Sequence, residues 1–290
     1  MTWVNAVLQG ILLGGLYALF ATGLSLMFGV MRIVNLAHGD LSVLAAFLAF
    51  ALIDAFALSS FVTLIVVVPA MAVLGYLVQR LLLERGLRAG PLAPLVVTFG
   101  LSVVLQNALL EAFSPDSRAL PAGALGTASL QLTESLSVGW FAVLCLGLAV
   151  AVLAGLQLFL ARTAFGRAMR ATSDDRETVQ LLGIDQRQVY AVATAIAFAT
   201  LALAGVLFGM RTTFDPSIGP ARLIFAFEAV IIGGLGSLWG TLAGGVVLGV
   251  AQTVGAQISP AYAVLAGHLV FLAVLVLRPQ GILAPAGSRP

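Results

Sequence analysis

The stretch GLYALFATGLSLMFGVMRIVNLAHGDLSVLAAF, residues 15–47, decides the fold, because two long apolar runs flank a single polar break. Similar apolar runs follow along the rest of the chain. Across the whole sequence 61% of the residues are apolar and only 9% are Asp, Glu, Lys or Arg, whereas about 25% charged residues are usual in a soluble domain. So few charges cannot cover a water-exposed surface. The sequence therefore predicts an integral membrane protein.

Membrane-spanning helices account for the apolar runs. A helix needs about 20 apolar residues to cross the hydrocarbon layer, and the runs are continuous, without the alternation of barrel strands. We expect eight spans, at residues 7–30, 33–53, 61–83, 94–113, 138–160, 189–209, 238–257 and 261–277. A shorter run, 223–236, leads into GGLGSLWG, residues 233–240, and is expected to form a half-helix that breaks inside the protein. The expected fold is an all-α polytopic transmembrane bundle of about eight full spans plus one short broken or re-entrant segment, in a single domain of residues 1–290.

Arginine placement predicts the orientation of this bundle. Loops 80–90 and 161–188 are rich in arginine, and Arg278 and Arg289 lie close to the C-terminus. By the positive-inside rule all three regions are expected to be cytoplasmic. Loop 114–137 carries one arginine and is expected to be external. This arrangement requires the short broken segment to cross the membrane, or nearly to cross it.

The segment TSDDRETVQLLGID, residues 172–185, is a charged island in this apolar chain. We expect a short helix over residues 174–182, with Thr172 or Ser173 as its N-terminal cap. Gly183 is expected to end the helix, because glycine readily adopts the left-handed conformation found after a last helical turn. The pattern therefore predicts a short helix within a predicted cytoplasmic loop.

The side chains of this island suggest a contact surface. Asp174, Asp175 and Glu177 favour the positive N-terminal end of the expected helix. Val179 and Leu182 are three residues apart and are expected to share an apolar face. Two interpretations stay open: an amphipathic loop helix that rests on its own bundle or on lipid, and a docking element that fits a groove on a partner protein.

Polar residues at the first break are candidates for a translocation pathway. Asn35, His38, Gly39 and Asp40 follow one another closely between two apolar runs. Polar, glycine-containing breaks in corresponding places of two halves point to a midplane pathway in transporters. The alternative is a hydrogen-bonded turn in which His38 and Asp40 cap helix ends.

Further pathway candidates lie within the expected spans. Thr98, Ser102 and Gln106 recur every four residues and share a face, which fits a pore lining or helix–helix hydrogen bonding. Glu228 lies in an apolar run, where a carboxylate is costly; it either serves transport or accepts hydrogen bonds near the second break. The glycines of that break complete the set: Gly233, Gly234 and Gly236.

What the sequence lacks argues against several kinds of function. All 14 basic residues are arginines, and a Walker-A phosphate loop needs a lysine. Cys145 is the only cysteine, and the two histidines, His38 and His268, are far apart in sequence, so no metal-ligand set or catalytic pair is apparent. The formal charge of +2 gives no sign of nucleic-acid binding. We expect no catalytic residue, no metal site and no bound cofactor.

A resemblance to a known family adds to these expectations. GRAMRATSDDRETVQLLGIDQRQVYAVATAIAFATLALAGVL, residues 166–207, resembles the cytoplasmic coupling region of ABC importer permeases. Glu177-Thr178-Val179, followed after three residues by Gly183, has the Glu-Ala-Ala-three-Gly spacing of that region, with both alanines replaced. Other blocks resemble the branched-chain amino-acid importer permeases in the family's order: residues 15–47, TFGLSVVLQN (98–107), EAVIIGGLGSLWGTLAGG (228–245) and RPQGIL (278–283).

The resemblance implies a permease subunit that moves branched-chain or related hydrophobic amino acids across the bacterial inner membrane by alternating access. It implies as partners a second homologous permease, two ABC ATPases that use the ATP, and a periplasmic or surface substrate-binding protein. It also implies that the charged island docks into a groove on an ATPase through a defined set of residues: Arg170, Asp174, Asp175, Glu177, Val179, Leu182 and Gly183.

Two alternatives remain beside this implication. Related permeases in such systems carry urea, short amides or another small polar solute. A protein of a different class, an ion-coupled secondary carrier or a channel, is expected to carry coupling acids in mid-span, and only Glu228 qualifies. Uptake by the purified chain without ATP would favour that second class.

Overall fold

The structure, a computed structural model, describes residues 2–90, 92–133 and 136–283. Residues 134 and 135 of the expected external loop, and Arg289 near the C-terminus, lie outside the described residues. The helices, in chain order, are α1 (Thr2–Met31), α2 (His38–Phe56), α3 (Ser60–Val78), α4 (Glu84–Ala89), α5 (Ala93–Phe113), α6 (Ala124–Thr127), α7 (Trp140–Arg162), α8 (Ala164–Asp174), α9 (Arg176–Leu181), α10 (Gln186–Arg211), α11 (Gly219–Gly233), α12 (Leu238–Ile258) and α13 (Tyr262–Leu277). A π-helical turn, Gln79–Leu83, joins α3 to α4, and two antiparallel strands, β1 (Ser129–Thr133) and β2 (Leu136–Gly139), precede α7.

Long apolar helices form the body of the protein. Among the described residues, seven helices have the length and composition to cross a membrane: α1, α2, α3 with its continuation to Leu87, α5, α7, α10 and α12. The eighth expected span is α13, an apolar helix of 16 residues. At about 1.5 Å per residue, α13 is shorter than a hydrocarbon core of about 30 Å. The prediction of an all-α polytopic bundle is confirmed.

The first break is longer than the apolar pattern indicates. α2 begins at His38, whereas the predicted span begins at residue 33. The Asn35 side chain accepts a hydrogen bond from the backbone N–H of Ala37 at 3.0 Å, and the Asn35 carbonyl accepts one from His38 N–H at 3.2 Å. These bonds form a turn in place of the first helical turn. Ala37 precedes α2 and makes no side-chain cap.

The second break follows α11 and is confirmed. α11 ends at Gly233, and the next two glycines of the break, Gly234 and Gly236, have φ angles of 109° and 80°, which glycine adopts without steric cost. Ser237 then starts α12 by accepting a hydrogen bond from Gly240 N–H at 3.1 Å. α11 starts at Gly219, before the predicted residue 223, and its 15 residues are too few for an ordinary span.

The chain divides into two compact units. The terminal unit comprises Met1–Ser25, Pro121–Leu153 and Ile224–Pro290, and the central unit comprises Leu26–Leu120 and Ala154–Leu223. In the central unit α10 packs against α3 and α2. The expectation of a single domain stays a prediction.

Glycine contacts hold helices of the terminal unit close together. A Cβ atom on Gly10 of α1 would lie 2.9 Å from the Gly249 carbonyl oxygen of α12, and one on Gly14 would lie 2.7 Å from the Gly245 oxygen. Each helix thus presents two glycines four residues apart. This small-residue spacing lets the backbones of membrane helices approach closely.

Candidate functional site

The charged island, residues 172–185, contains the end of α8 and all of α9. We call residues 164–183, which include both helices, the α8–α9 segment. α9 covers only Arg176–Leu181, and its cap is Asp175, not the predicted Thr172 or Ser173. The Asp175 Oδ1 atom accepts hydrogen bonds from the backbone N–H groups of Glu177 at 3.0 Å and Thr178 at 3.2 Å. The predicted caps are engaged elsewhere.

The two predicted caps make other hydrogen bonds. Thr172 donates to the Ala168 carbonyl of its own helix at 2.7 Å, and Ser173 donates to the Gly29 carbonyl at 2.5 Å. The Thr178 hydroxyl in turn donates to Asp175 Oδ2 at 2.5 Å. This bond, together with the backbone N–H groups, lowers the pKa of Asp175 below its usual value.

The end of α9 follows the prediction. Gly183 has a φ of 80°, and its N–H donates to the Gln180 carbonyl at 3.0 Å. The N–H of Ile184 donates to the Val179 carbonyl at 3.2 Å. These bonds satisfy carbonyls at the helix end, and glycine adopts the required left-handed conformation without strain.

The apolar side chains of this helix face in different directions. Val179 is buried, with 3% exposure, whereas Leu182 is 73% exposed and Leu181 is 88% exposed. The prediction that Val179 and Leu182 share a face is therefore wrong. Val179 holds α9 against the protein, and the two leucines form an exposed tip.

Two hydrogen bonds tie the α8–α9 segment to the end of α1. Ser173 bonds the Gly29 carbonyl, and the Arg176 Nη2 atom donates to the Met31 carbonyl at 2.6 Å. The Arg176 guanidinium also lies 5.8 Å from the centre of the Tyr190 ring on α10, a cation–π distance. Within the central unit, the segment is thus attached to the end of α1 and to α10.

The remaining predicted coupling residues lie at the surface of this segment. Asp174 ends α8, and its side chain, like that of Glu177, is exposed. The Arg170 Nη2 atom lies 3.5 Å from the Ala161 carbonyl at the end of α7. The two acids are therefore accessible to a partner protein.

The predicted pathway residues of α2 and α5 come together in the central unit. The Ser102 hydroxyl donates to Asp40 Oδ2 at 2.5 Å, and the Gln106 amide donates to the Ser102 oxygen at 3.2 Å. The Thr98 hydroxyl oxygen accepts a hydrogen bond from Leu36 N–H at 3.1 Å. The prediction of a shared face on α5 is confirmed, and that face bonds the start of α2.

These bonds belong to a group of polar residues that are buried except for the half-buried Gln106. We call this group the Asp40 cluster: Asn35, His38, Asp40, Thr98, Ser102 and Gln106. Asp40, Asn35 and His38 are fully buried, and the Asp40 Oδ1 atom has no hydrogen-bond partner. The structure adds Gly219 at the start of α11, which contacts Asp40 and Gly39. No local sequence signal pairs residues so far apart.

Glu228 belongs to the terminal unit and pairs with a residue that the sequence analysis did not connect to it. His268 Nδ1 on α13 contacts Glu228 Oε1, and the His268 ring stacks on Phe225 with centroids 6.4 Å apart. The Glu228 carboxylate is buried, and its Oε2 atom has no hydrogen-bond partner. The presence of two ionisable side chains within apolar helices is the sequence signal that could have indicated this pair.

Comparison with known proteins gives the family. Residues 6–277 match the model of the branched-chain amino acid transport system permease component. The chain is 32% identical over 97% of its length to the high-affinity branched-chain amino acid transport system permease protein BraD of Pseudomonas aeruginosa, of which it covers 95%. It is 30% identical, with the same coverage of both chains, to the permease protein LivH of Escherichia coli K12. It is also 30% identical over 49% of its length to the permease protein LivM of the same organism, covering 34% of LivM. Because the family model and the matches to BraD and LivH span nearly the whole chain, the protein belongs to the family of branched-chain amino acid transport system permease components.

Proposed function

We propose that this chain is a permease subunit of an ATP-driven ABC importer that carries branched-chain or related hydrophobic amino acids inward. The observation that carries the proposal is the α8–α9 segment, a leucine-tipped helix tied to two membrane helices. The substrate class is supported by the relatives BraD and LivH, which are permease proteins of branched-chain amino acid transport.

The exposed leucines are the proposed contact with an ATPase subunit. Burying one leucine side chain stabilises a contact by about 1.5–3 kcal/mol, and Leu181 and Leu182 are both largely exposed. A helix with this apolar tip fits a groove on a partner, and Asp174 and Glu177 beside it suit basic residues on the groove's rim. Gly183 and Asp175 set the length and direction of the helix.

The same segment transmits movement to the membrane helices. A displacement of α9 pulls on the Met31 carbonyl through Arg176 and on the Gly29 carbonyl through Ser173. Both acceptors lie in the last turn of α1, just before the break that leads to α2. Closure of the ATPase pair would thereby reach the Asp40 cluster.

The translocation pathway is proposed to pass the polar and glycine residues of the two breaks. A zwitterionic substrate needs hydrogen-bonding groups inside the membrane. Polar side chains are costly there, and those that occur typically mark a substrate pathway. The proposed pathway residues are Asn35, His38, Gly39, Asp40, Thr98, Ser102, Gln106, Glu228, Gly233, Gly234 and Gly236.

The proposed assembly contains four further chains. Escherichia coli K12 has two permease proteins of branched-chain transport, LivH and LivM, that both resemble this chain, which supports pairing with a second homologous permease. We assign ATP to two separate ATPase subunits, because this chain has no lysine for a Walker-A loop. A periplasmic or surface binding protein would deliver the substrate.

The protein is a multi-pass membrane protein, and we place it in the bacterial inner membrane. Loop 161–188 and the C-terminus are assigned to the cytoplasmic side, because arginines are concentrated there. This is the side on which ATP is available to the partner subunits.

Reconstitution into proteoliposomes tests the proposal. Leucine uptake is expected only when the chain is combined with a second permease, the ATPases, the binding protein and ATP. Leu182→Glu should abolish uptake while leaving membrane insertion intact. Arg167→Gln, a change of an exposed residue in the same segment, should leave uptake unchanged. Leucine uptake by the chain alone without ATP would reject the proposal in favour of a carrier or channel.

A further inference from the structure

A cavity of about 390 Å³ lies beside the α8–α9 segment in the central unit. Its wall combines α9, the start of α10, and the π-helical turn with α4. Its volume falls within the range of about 300–1,000 Å³ that is usual for small-molecule sites. None of its lining residues belongs to the Asp40 cluster, so the cavity is separate from the proposed pathway.

One residue of the cavity wall carries a buried hydrogen-bond donor without a partner. Gln79 lines the wall and is 1% exposed. Its Oε1 atom accepts a hydrogen bond from the Thr194 hydroxyl at 2.9 Å, whereas its Nε2 atom has no partner. An unsatisfied buried amide is costly. A ligand whose acceptor atom reaches this amide would satisfy it.

The wall also carries charges of both signs. Arg176 and Arg187 supply two guanidinium groups, and Glu84 and Asp185 supply two carboxylates. Arg187 Nε bonds Glu84 Oε1 at 2.8 Å, and Arg176 uses Nη2 for the Met31 carbonyl. A guanidinium has five N–H donors, and a carboxylate accepts several hydrogen bonds, so one such bond does not use all the capacity of either kind of group.

A ligand with a single charge could pair with only one of these two kinds of group, whereas a zwitterion could pair with both. Leu87 and Ile184 add apolar surface to the same wall. We propose that the cavity is a second binding site, which takes an α-amino acid with an aliphatic side chain. Its carboxylate would bind Arg176 and the Gln79 amide, and its ammonium group would bind the carboxylates of Glu84 and Asp185.

Binding there would regulate transport. The occupant contacts α9, α10 and the end of the α3 span together, so it favours one arrangement of these elements over others. On the proposed cytoplasmic side, the imported amino acid itself would fill the cavity and slow further import. This regulatory role rests on the proposed function, whereas binding of the amino acid does not.

Binding is tested with the full chain in lipid nanodiscs and a photoreactive diazirine analogue of leucine. Cross-links are expected on the cavity wall, around residues 79–87 and 176–190, and excess leucine should remove them. 4-Methylpentanoate, which lacks the ammonium group, and 3-methylbutylamine, which lacks the carboxylate, should each compete about tenfold less well, a loss typical of one charge-assisted hydrogen bond.

Variants assign the binding to the cavity. Glu84→Gln and Gln79→Met should each weaken labelling of the wall about tenfold, and Arg167→Gln, which lies outside the wall, should leave it unchanged. Labelling confined to other regions, or equal competition by the two single-charge analogues, would overturn the inference. So would loss of wall labelling in the complete importer, since a partner's side chain would then be the occupant.

The regulatory role is tested in proteoliposomes that contain the complete importer. Leucine on the ATPase side should slow uptake, and Glu84→Gln should relieve that inhibition. Absence of ATP-driven uptake in every preparation would reject the proposed function. The labelling experiment would still test whether the amino acid binds in the cavity. Normal uptake that leucine on the ATPase side does not slow would reject the regulatory role alone.

Discussion

A Cβ atom on Gly39 would lie 1.9 Å from the carbonyl oxygen of Gly219, so the first turns of α2 and α11 touch backbone to backbone. Gly219 in turn leaves room for the Asp40 carboxylate, since a Cβ on Gly219 would lie 2.0 Å from Asp40 Oδ1. The helix that follows the first break, α2, and the helix that precedes the second break, α11, therefore meet at their first turns beside the Asp40 cluster. This contact depends on glycine at both positions.

Gly39→Ala should destabilise the protein by about 3 kcal/mol, because the added methyl group forces two backbones apart. Gly100→Ala is the matched control: Gly100 lies inside α5, and no atom approaches its Cβ position within 4 Å. That change should be neutral or stabilise by about 0.5–1 kcal/mol. Thermal unfolding in detergent micelles measures both. Equal unfolding temperatures for the two variants would contradict the contact.

Ser102→Ala should destabilise the protein by about 1–3 kcal/mol, because it leaves a fully buried Asp40 oxygen without its donor. Asn107→Ala is the control on the same helix, since Asn107 is exposed and bonds only the Val103 carbonyl among the bonds described. Its effect should stay within about 0.5 kcal/mol. Denaturant unfolding of the purified variants compares them, and an equal loss in both would argue against a structural bond to Asp40.

The Glu228–His268 pair should show strong coupling in a double-mutant cycle. His268→Leu alone leaves a buried carboxylate unpaired and should cost about 1–3 kcal/mol. Glu228→Leu combined with His268→Leu should recover most of that loss, since apolar side chains replace a buried pair without an unpaired charge. Unfolding free energies give the coupling. Strict additivity of the two single changes would mean that the residues do not interact.

Capping of α9 by Asp175 should be independent of pH over the physiological range. The pKa of Asp175 lies below its ordinary value because the carboxylate accepts hydrogen bonds from the Thr178 hydroxyl and nearby N–H groups. The stabilisation is therefore complete above the ordinary value of 3.8 and is lost only as the pH falls through the lower, folded-state pKa.

Hydrogen exchange at the amides of residues 177 and 178 measures this cap. Asp175→Ala should speed their exchange at neutral pH, and Asp175→Asn, which keeps an acceptor oxygen, should not. Exchange in Asp175→Ala as slow as in the unaltered protein at pH about 7 would show that the cap contributes nothing.

The long helices could be predicted from the sequence because each is apolar along its whole length. The residues at which helices begin were harder to predict. α11 begins in a turn that contains Arg222, whose charge lies outside any apolar run, yet Arg222 is buried with its guanidinium 4.2 Å from the centre of the Phe208 ring. α2 begins late because the Asn35 side chain accepts a hydrogen bond from Ala37 N–H. Local hydropathy carries no information about either contact.

The candidate site was predictable in composition but not in detail. The polar residues of α2 and α5 could be named, because polar groups in apolar helices are conspicuous. The sequence analysis named Thr172 or Ser173 as the cap of α9, whereas the cap is Asp175. Ser173 instead bonds the distant Gly29 carbonyl, a contact that the local sequence does not indicate. The pairing of Glu228 with His268 is likewise a contact across 40 positions of the chain.

Cross-linking from position 182 tests the central claim most directly. Leu182→Cys is made in a Cys145→Ser background, which leaves one cysteine, and a photoreactive maleimide is attached to it in the assembled importer. We expect a cross-link from position 182 to an ATPase subunit, and we expect this position to be labelled from the cytoplasmic side only. Leu158→Cys, exposed on membrane helix α7, should give no such cross-link. Labelling of position 182 from the external side, or a cross-linking pattern in which no ATPase subunit is reached, would contradict the account.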